Sequence, residues 1–226
     1  CGQPDVQLVQ LNSFGCGPDA IVADEAAERL AERAKTHALL RIDESTAPGS
    51  IRLRLRTLGV EARASAARDE TRRASTPPFL ARDRRRTIIT APFAPLLSRA
   101  LVPEFARLGY TFQVAPDTDG ESLELGLKHV NNEICYPAIL AVGDILKALR
   151  AYRGPRSDVA VGLTQTGGPC RASNYVPILK KAMVSAGFGD VPVVGVRIGV
   201  ADPLNEQPGF TINRRKMLTL GLLTVV

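Results

Sequence analysis

The sequence predicts an α/β fold, with Rossmann-like parallel sheets and flanking helices arranged as two partial units. Apolar, strand-like runs alternate with helical stretches along most of the chain, which favours parallel strands connected by helices. Some of these runs, such as VAVGL and VPVVGVRI, are apolar at nearly every position, as expected of strands covered on both faces. The hydrophobic content of 45% and the charged content of 23% are those of a globular protein.

The first unit is predicted over residues 1–61, as the C-terminal part of one α/β domain. Its predicted strands occupy residues 6–11 and 37–42. Between them a helix is expected, with Asp24 as its N-cap and with Glu25 and Arg29 at the i, i+4 spacing of an ion pair. Residues 50–58, SIRLRLRTL, alternate as a strand does, but leucine and arginine also favour helices. The sequence leaves this last segment open between strand and helix.

Residues 62–86 are predicted to be a basic linker between the two units. The stretch RASAARDETRRASTPPFLARDRRR carries much of the excess positive charge of the chain, which is +6 overall. Such a run suits either a solvated linker or a patch that binds nucleic acid or an acidic partner. Aromatic residues for base stacking are scarce nearby and no nucleic-acid motif is present. A linker is therefore favoured, and no nucleic-acid partner is expected.

The second unit is predicted over residues 87–226, as the N-terminal part of another α/β domain. Its predicted strands are residues 87–90, 110–114, 159–163 and 191–198. Its predicted helices are residues 96–108, 123–130, 138–152 and a stripe from 175 to 186. Pro103 should kink or restart the first helix, and Gly109 and Gly187 should end the first and the last. Residues 209–226 are expected to form a helix or a strand.

The sequence also indicates a cytoplasmic protein that is a fragment of a longer chain. It has no apolar run long enough to cross a membrane and no pattern of a signal peptide, and it starts without a methionine. Four cysteines are too few for a disulfide scaffold of this size, so we expect reduced thiols.

Three of the four cysteines lie where a helix is predicted to begin. Cys16 follows the strand VQLVQL and a turn, and Cys170 follows the strand VAVGL and the turn TQTGGP. Cys135 comes shortly before Pro137, a residue that suits the first turn of a helix. The carboxyl ends of parallel strands share one edge of the sheet, so these positions should gather there. Free N–H groups and the helix dipole stabilise thiolates at such places.

The residues alone leave the role of these cysteines open. A structural zinc site usually has a C-x-x-C pair, which is absent, and a nucleophilic cysteine needs a base that neither His37 nor His129 is known to supply. Each cysteine would also be satisfied as a small buried hydrophobe, which is the favoured role of Cys1. The turn TQTGG matches neither common glycine-rich phosphate motif.

Three long segments around these cysteines resemble a known family. They are VQLNSFGCGPDA with LLRIDE and IRLRLRTL behind it, LGLKHVNNEICYPAILAVGDILKAL, and TQTGGPCRASNYVPILKKA. Together they look like the large CoA-substrate-specific activase proteins, relatives of the 2-hydroxyacyl-CoA dehydratases and their activators. The resemblance covers most of the chain except the linker and the last stretch.

The resemblance implies an iron–sulfur protein, with a 4Fe–4S cluster held by cysteines in Rossmann-like domains. Cys16 would match the last cysteine of an earlier half, and Cys135 and Cys170 the first two of a later half. These three are the expected metal ligands. Five further residues are expected to shape the cluster cradle: Asn131, Asn132, Gly167, Gly168 and Asn174.

The resemblance also implies partners. An ATPase activator domain with an actin-like fold would supply electrons, in the same longer chain or as a separate subunit, and an acyl-CoA is the expected substrate. This chain has no ATPase phosphate motif, so ATP would act only through that partner. Two alternatives to an iron–sulfur function are a nucleotide- or CoA-binding module without a cluster, and a structural domain of a larger enzyme. No membrane partner is expected.

Overall fold

The structure is a computed structural model that describes residues 6–12, 18–33, 35–42, 46–64, 76–92, 94–131, 134–165, 175–197 and 207–212. The chain divides into two compact units, and the first division between them falls after Arg73. Each unit contains a parallel sheet with flanking helices. The predicted α/β class is therefore confirmed. No helix in the described ranges is long and apolar enough to span a membrane.

The sheet of the first unit pairs two parallel strands, β1 (Leu8–Asn12) and β2 (His37–Arg41). Helix α1 (Pro18–Ala31) connects them. The Glu25–Arg29 ion pair is present, with 2.9 Å between Oε1 and Nε. The predicted N-cap at Asp24 is wrong, because the helix starts six residues earlier. Pro18 has the backbone angle of a first helical residue and no N–H to leave unpaired, which favours the earlier start.

The ambiguous segment at residues 50–58 is helical. It lies inside α2 (Pro48–Ala64), which again begins at a proline and contacts β2. Leu58 is buried, whereas Leu53 and Leu55 are exposed. Arg54 ties the helix to the strand by donating a hydrogen bond to the Leu39 carbonyl at 2.8 Å. The arginine–leucine alternation therefore reflects helix-forming residues rather than the two faces of a strand.

In the described residues, the sheet of the second unit has four parallel strands in the order β4-β3-β5-β6. The strands are β3 (Thr87–Thr90), β4 (Thr111–Val114), β5 (Val159–Gln165) and β6 (Val193–Arg197). All four predicted strands are present, and their bounds shift by no more than two residues at either end. The central pair, β3 and β5, carries completely buried side chains, including Ile88, Ile89 and Val161 at 0% exposure.

Four helices of the described chain flank this second sheet: α3 (Pro95–Arg107), α4 (Gly120–His129), α5 (Tyr136–Ala151) and α6 (Tyr175–Ser185). Gly109 and Gly187, both with φ of 85°, follow the ends of α3 and α6 as predicted. The predicted restart at Pro103 is wrong, because α3 continues through it as one helix, and the alternative of a kink stays a prediction. Val102 and Phe105 pack on the core from either side of this proline, which offsets the one backbone hydrogen bond that proline cannot make.

Successive side chains of the central strands point to opposite faces of the second sheet, and each face has its own apolar core. Ile89 and Val161 belong to the core that α5 and α6 complete. Ile88 and Ala160 belong to a smaller core with Phe79 and the residues of α3. Helices thus cover both faces, as the apolar runs predicted.

Residues 76–86 pack against the second unit, although the sequence analysis places them in the linker. Phe79 is completely buried, and a short 3-10 turn follows at Ala81–Arg85. The buried carboxylate of Asp83 accepts hydrogen bonds from the Leu80 N–H and from Arg86 Nε, both at 2.7 Å. The packed structure of the second unit therefore begins before residue 87.

Residues 207–212 also pack on the second unit, without forming the predicted helix or strand. The Tyr110 hydroxyl accepts a hydrogen bond from the Thr211 N–H at 2.8 Å. The Gln207 side chain bonds both the N–H and the carbonyl of Gly195, at 2.7 and 2.8 Å. The rest of the predicted element, from residue 213 onward, lies outside the described residues.

Asp119 caps α4 and gives the protein an acid-sensitive contact. Its carboxylate accepts hydrogen bonds from Lys147 Nζ at 2.9 Å and from the Ser122 N–H at 3.0 Å. The hydrogen bond from Lys147 is the main cause that lowers the pKa of Asp119, and the hydrogen bond from the Ser122 N–H is the next. A carboxyl whose pKa is lower in the folded state stabilises the fold above its unfolded-state pKa, and loses that effect as the pH falls through its folded-state pKa.

We expect Asp119→Asn to flatten the decline in the free energy of unfolding below about pH 4. Urea denaturation followed by circular dichroism between about pH 5 and pH 3 measures this decline. Glu124→Gln, on the exposed face of the same helix, is the control and should keep the wild-type slope. A wild-type slope in Asp119→Asn would contradict the assignment.

Candidate functional site

Cys135 occupies the N-cap of α5, so the prediction that it lies at a helix start is confirmed. Its backbone is extended, with φ −62° and ψ 141°, and the helix begins at the next residue with a proline in its first turn. The Cys135 carbonyl accepts the first hydrogen bonds of the helix, from the N–H groups of Ala138 and Ile139 at 2.9 and 3.3 Å. The side chain is half-buried and packs against the larger apolar core.

The thiol of Cys135 meets the hydroxyl of Tyr175, with 3.1 Å between Sγ and Oη. Tyr175 is the first residue of α6, and its side chain is buried. Because α6 returns the chain from the carboxyl end of β5 to the amino end of β6, its first residue belongs to the carboxyl side of the sheet. The contact therefore brings two helix starts together on the side where parallel α/β sheets carry their sites.

Asn131 is the other predicted site residue within the described ranges. It is exposed and follows α4, and its carbonyl accepts a hydrogen bond from the Ile134 N–H at 3.0 Å. That bond forms the turn which leads directly into Cys135. The other predicted site residues lie outside the described residues: Cys16, Cys170, Asn132, Gly167, Gly168 and Asn174. In the part of the chain that the structure describes, no three His, Cys, Asp or Glu side chains form a metal-binding group.

Each histidine contacts a polar side chain of its own unit. His37, in the first unit, contacts Gln10 Oε1 through Nε2 at 3.0 Å. His129 contacts Ser185 Oγ through Nδ1 at 3.1 Å. Burial, and then repulsion from Lys128 and Arg150, lowers the pKa of His129 and favours the neutral ring. Within the described part of the second unit, Cys135 and His129 therefore do not form a hydrogen-bonded Cys–His pair for nucleophilic catalysis.

The sequence does not predict the contact of Tyr175 with Cys135. The apolar stripe of α6 places this residue in the core, and the structure confirms that its ring is buried. A buried tyrosine hydroxyl needs a hydrogen-bond partner. A tyrosine within the apolar stripe of α6 therefore indicates that a polar group lies nearby. The sequence does not show which group it is, because Cys135 is 40 residues away.

Fold and site together define an α/β protein whose four-stranded parallel sheet holds a tyrosine-bonded thiol at a helix start. Comparison with known proteins adds no closer assignment. No protein-family model, no curated protein and no solved structure matches the chain.

Proposed function

We propose that this chain is a cytoplasmic, iron–sulfur-cluster-binding segment of a system like the CoA activases and 2-hydroxyacyl-CoA dehydratases. Its role is low-potential electron transfer towards a CoA thioester or a similar substrate. The basis is the likeness of the three cysteine segments to that family. The observation that carries the proposal is the half-buried thiol of Cys135, which lies at a helix start and contacts the Tyr175 hydroxyl.

The surroundings of Cys135 fit one thiolate ligand of a cluster. Cys135 occupies the N-cap of α5, next to the positive end of the helix dipole. The Tyr175 hydroxyl lies within donor distance of the same sulfur, and hydrogen bonds to sulfur ligands tune the potential of iron–sulfur centres. When bound, the cluster would supply one-electron transfer. Cys135 would hold it, and Tyr175 would orient the sulfur and balance its charge.

The remaining ligands and the cradle come from the other predicted residues. Cys170 is proposed as a second thiolate of this site, and Cys16 as a ligand of a separate or shared cluster. The cradle residues are Asn131, Asn132, Gly167, Gly168 and Asn174. The Asn131 turn supports this role because it sets the position of Cys135. Electrons would come from the ATPase activator domain with an actin-like fold.

Anaerobic reconstitution with iron and sulfide tests the proposal. We expect bound iron and the broad visible absorption of an iron–sulfur cluster, both greatly reduced in Cys135→Ala and in Cys170→Ala. Cys1→Ala is the matched control and should keep both signals. Tyr175→Phe should retain iron but shift the reduction potential, because only the hydrogen bond to the sulfur is removed.

The proposal fails if the chain, and then a longer chain that includes its flanking sequence, binds no iron. It also fails if Cys135→Ala retains the wild-type spectrum. Stabilisation by acyl-CoA without iron would instead favour a CoA-binding module without a cluster. The absence of both iron and ligand-dependent stabilisation would favour a structural domain.

A further inference from the structure

A cavity of about 600 Å³ opens at the amino ends of the central strands of the second unit. Thr87 begins β3, and Asp158 directly precedes β5, so both lie at this end of the sheet. Tyr175 belongs to the opposite, carboxyl side. The volume is within the range of small-molecule sites. Cys135 and Asn131, the two predicted residues of the proposed cluster site that the structure describes, do not line this cavity.

Two arginines of the cavity have guanidinium groups without a partner among the described residues. Arg82 and Arg85 are exposed and line the cavity from the 3-10 turn, and neither forms a hydrogen bond or ion pair in the described part of the chain. Each therefore offers five N–H donors and a full positive charge. Guanidinium groups with such unused donors can bind a phosphate through paired hydrogen bonds.

A third arginine forms a fixed wall of the same cavity. Arg86 donates Nε to Asp83 at 2.7 Å and Nη1 to the carbonyls of Arg156 and Val159, both at 3.1 Å. These bonds hold the guanidinium in place, while its Nη2 donors have no partner among the described residues. Asp83 is neutralised by Arg86. Among the described residues that line the cavity, only the carboxylate of Asp158 therefore opposes the charges of Arg82 and Arg85.

The other groups in the cavity suit the remaining parts of a nucleotide. Asp158 receives a hydrogen bond from Ser157 Oγ on Oδ1 at 2.9 Å, which leaves Oδ2 to accept from a ligand hydroxyl. Tyr152 is half-buried and lines both this cavity and a second one of about 360 Å³, whose wall includes Phe188. An aromatic base stacks well on such a ring.

We propose that this arginine cavity, lined by Arg82, Arg85, Arg86, Tyr152 and Asp158, binds a nucleoside phosphate. The phosphate contacts the guanidinium groups of Arg82 and Arg85. A ribose hydroxyl donates to Asp158, and the base stacks on Tyr152. This site is independent of the proposed cluster site, and it binds its ligand without a covalent step.

Calorimetry on the full chain tests the proposal with AMP and ADP, and compares them with inorganic phosphate, ribose 5-phosphate and adenosine. We expect ADP to bind most tightly and with an affinity that falls as salt concentration rises. Arg82→Gln and Arg85→Gln should each weaken ADP by about tenfold, since each removes a charge-assisted contact. Lys128→Gln removes the same charge from exposed α4, away from the cavity, and should leave the affinity unchanged.

Two further variants test the parts of the ligand separately. Asp158→Asn should reduce the preference for ADP over its 2′-deoxy or 3′-deoxy analogue. Tyr152→Leu should reduce the preference for AMP over ribose 5-phosphate. Both side chains line the cavity surface. Among the described residues, the Tyr152 hydroxyl forms no hydrogen bond and the Asp158 carboxylate bonds only its neighbour Ser157. Circular dichroism checks that each variant is folded.

Four outcomes would overturn the proposal. ADP does not bind, or Arg82→Gln and Arg85→Gln bind it as the wild type does. Inorganic phosphate binds as tightly as ADP, which identifies a simple anion patch. Single-stranded RNA binds far more tightly than ADP in a way that depends on Arg82 and Arg85, which identifies a nucleic-acid surface.

Discussion

Gly143→Ala is expected to lower the free energy of unfolding of the second unit by about 2–3 kcal/mol. A Cβ atom at Gly143 would overlap the backbone carbonyl of Ser122 on the facing helix α4. Ser122 is fully buried, so the two helices would have to move apart within the core. The gain in helix propensity from glycine to alanine, about 1 kcal/mol, offsets only part of this cost. Urea denaturation followed by circular dichroism measures the loss.

Two other glycines provide the controls for this experiment. Gly120, the first residue of α4, has open space where a Cβ would be, and Gly120→Ala should change stability by less than about 0.5 kcal/mol. A Cβ atom at Gly126 of α4 would overlap the backbone carbonyl of Ile139 on α5, in the same contact between the two helices. Gly126→Ala should therefore be costly alone and less than additive with Gly143→Ala, because one separation of the helices relieves both overlaps. A stabilising effect of Gly143→Ala would show that α4 and α5 are further apart.

The strands of the second unit are predictable because both of their faces are buried. The run TIIT predicts β3 at Thr87–Thr90, and these are its bounds in the structure. Ile88 and Ile89 point to different cores, yet both are completely buried. A strand in such surroundings is apolar along its length and is recognised without knowing its neighbours.

Helix boundaries were harder to predict, because short local signals compete. At α2, alternating leucine and arginine imitate the period of a strand, whereas Pro48 starts a helix. At α3, Pro103 favours a kink or a restart, but contacts of Val102 and Phe105 with the core keep the helix continuous. Both outcomes depend on tertiary packing, which a local pattern does not contain.

In the candidate site too, features set by local sequence could be predicted, whereas features set by tertiary packing could not. Cys135 could be placed at a helix start because Pro137 is a local signal in the sequence. Its contact with Tyr175 could not be predicted, since it depends on how α5 and α6 pack. The arginine cavity was also missed, because residues 82–86 were assigned to a linker. Only the packing of Phe79 and Asp83 shows that these arginines belong to a folded unit.

The last described segment, residues 207–212, makes a contribution to stability that composition does not predict. The ring of Phe210 lies 4.7 Å from that of Tyr110, 6.4 Å from that of Phe79 and 6.5 Å from that of Phe112, measured between centroids. Phe79 and Tyr110 are almost completely buried. Phe210 thus completes the smaller core, which also includes Ile88 of the central strand β3.

We expect Phe210→Ala to lower the free energy of unfolding of the second unit by about 3 kcal/mol, because it removes a large side chain from the smaller core. Tyr110→Phe should cost about 1–2 kcal/mol, since it leaves the Thr211 N–H without its 2.8 Å acceptor. Tyr136→Phe, with a side chain 58% exposed, is the control and should have little effect. Urea denaturation gives all three values. If Phe210→Ala were as stable as Tyr136→Phe, the packing of residues 207–212 against Tyr110 and Phe79 would not persist in solution.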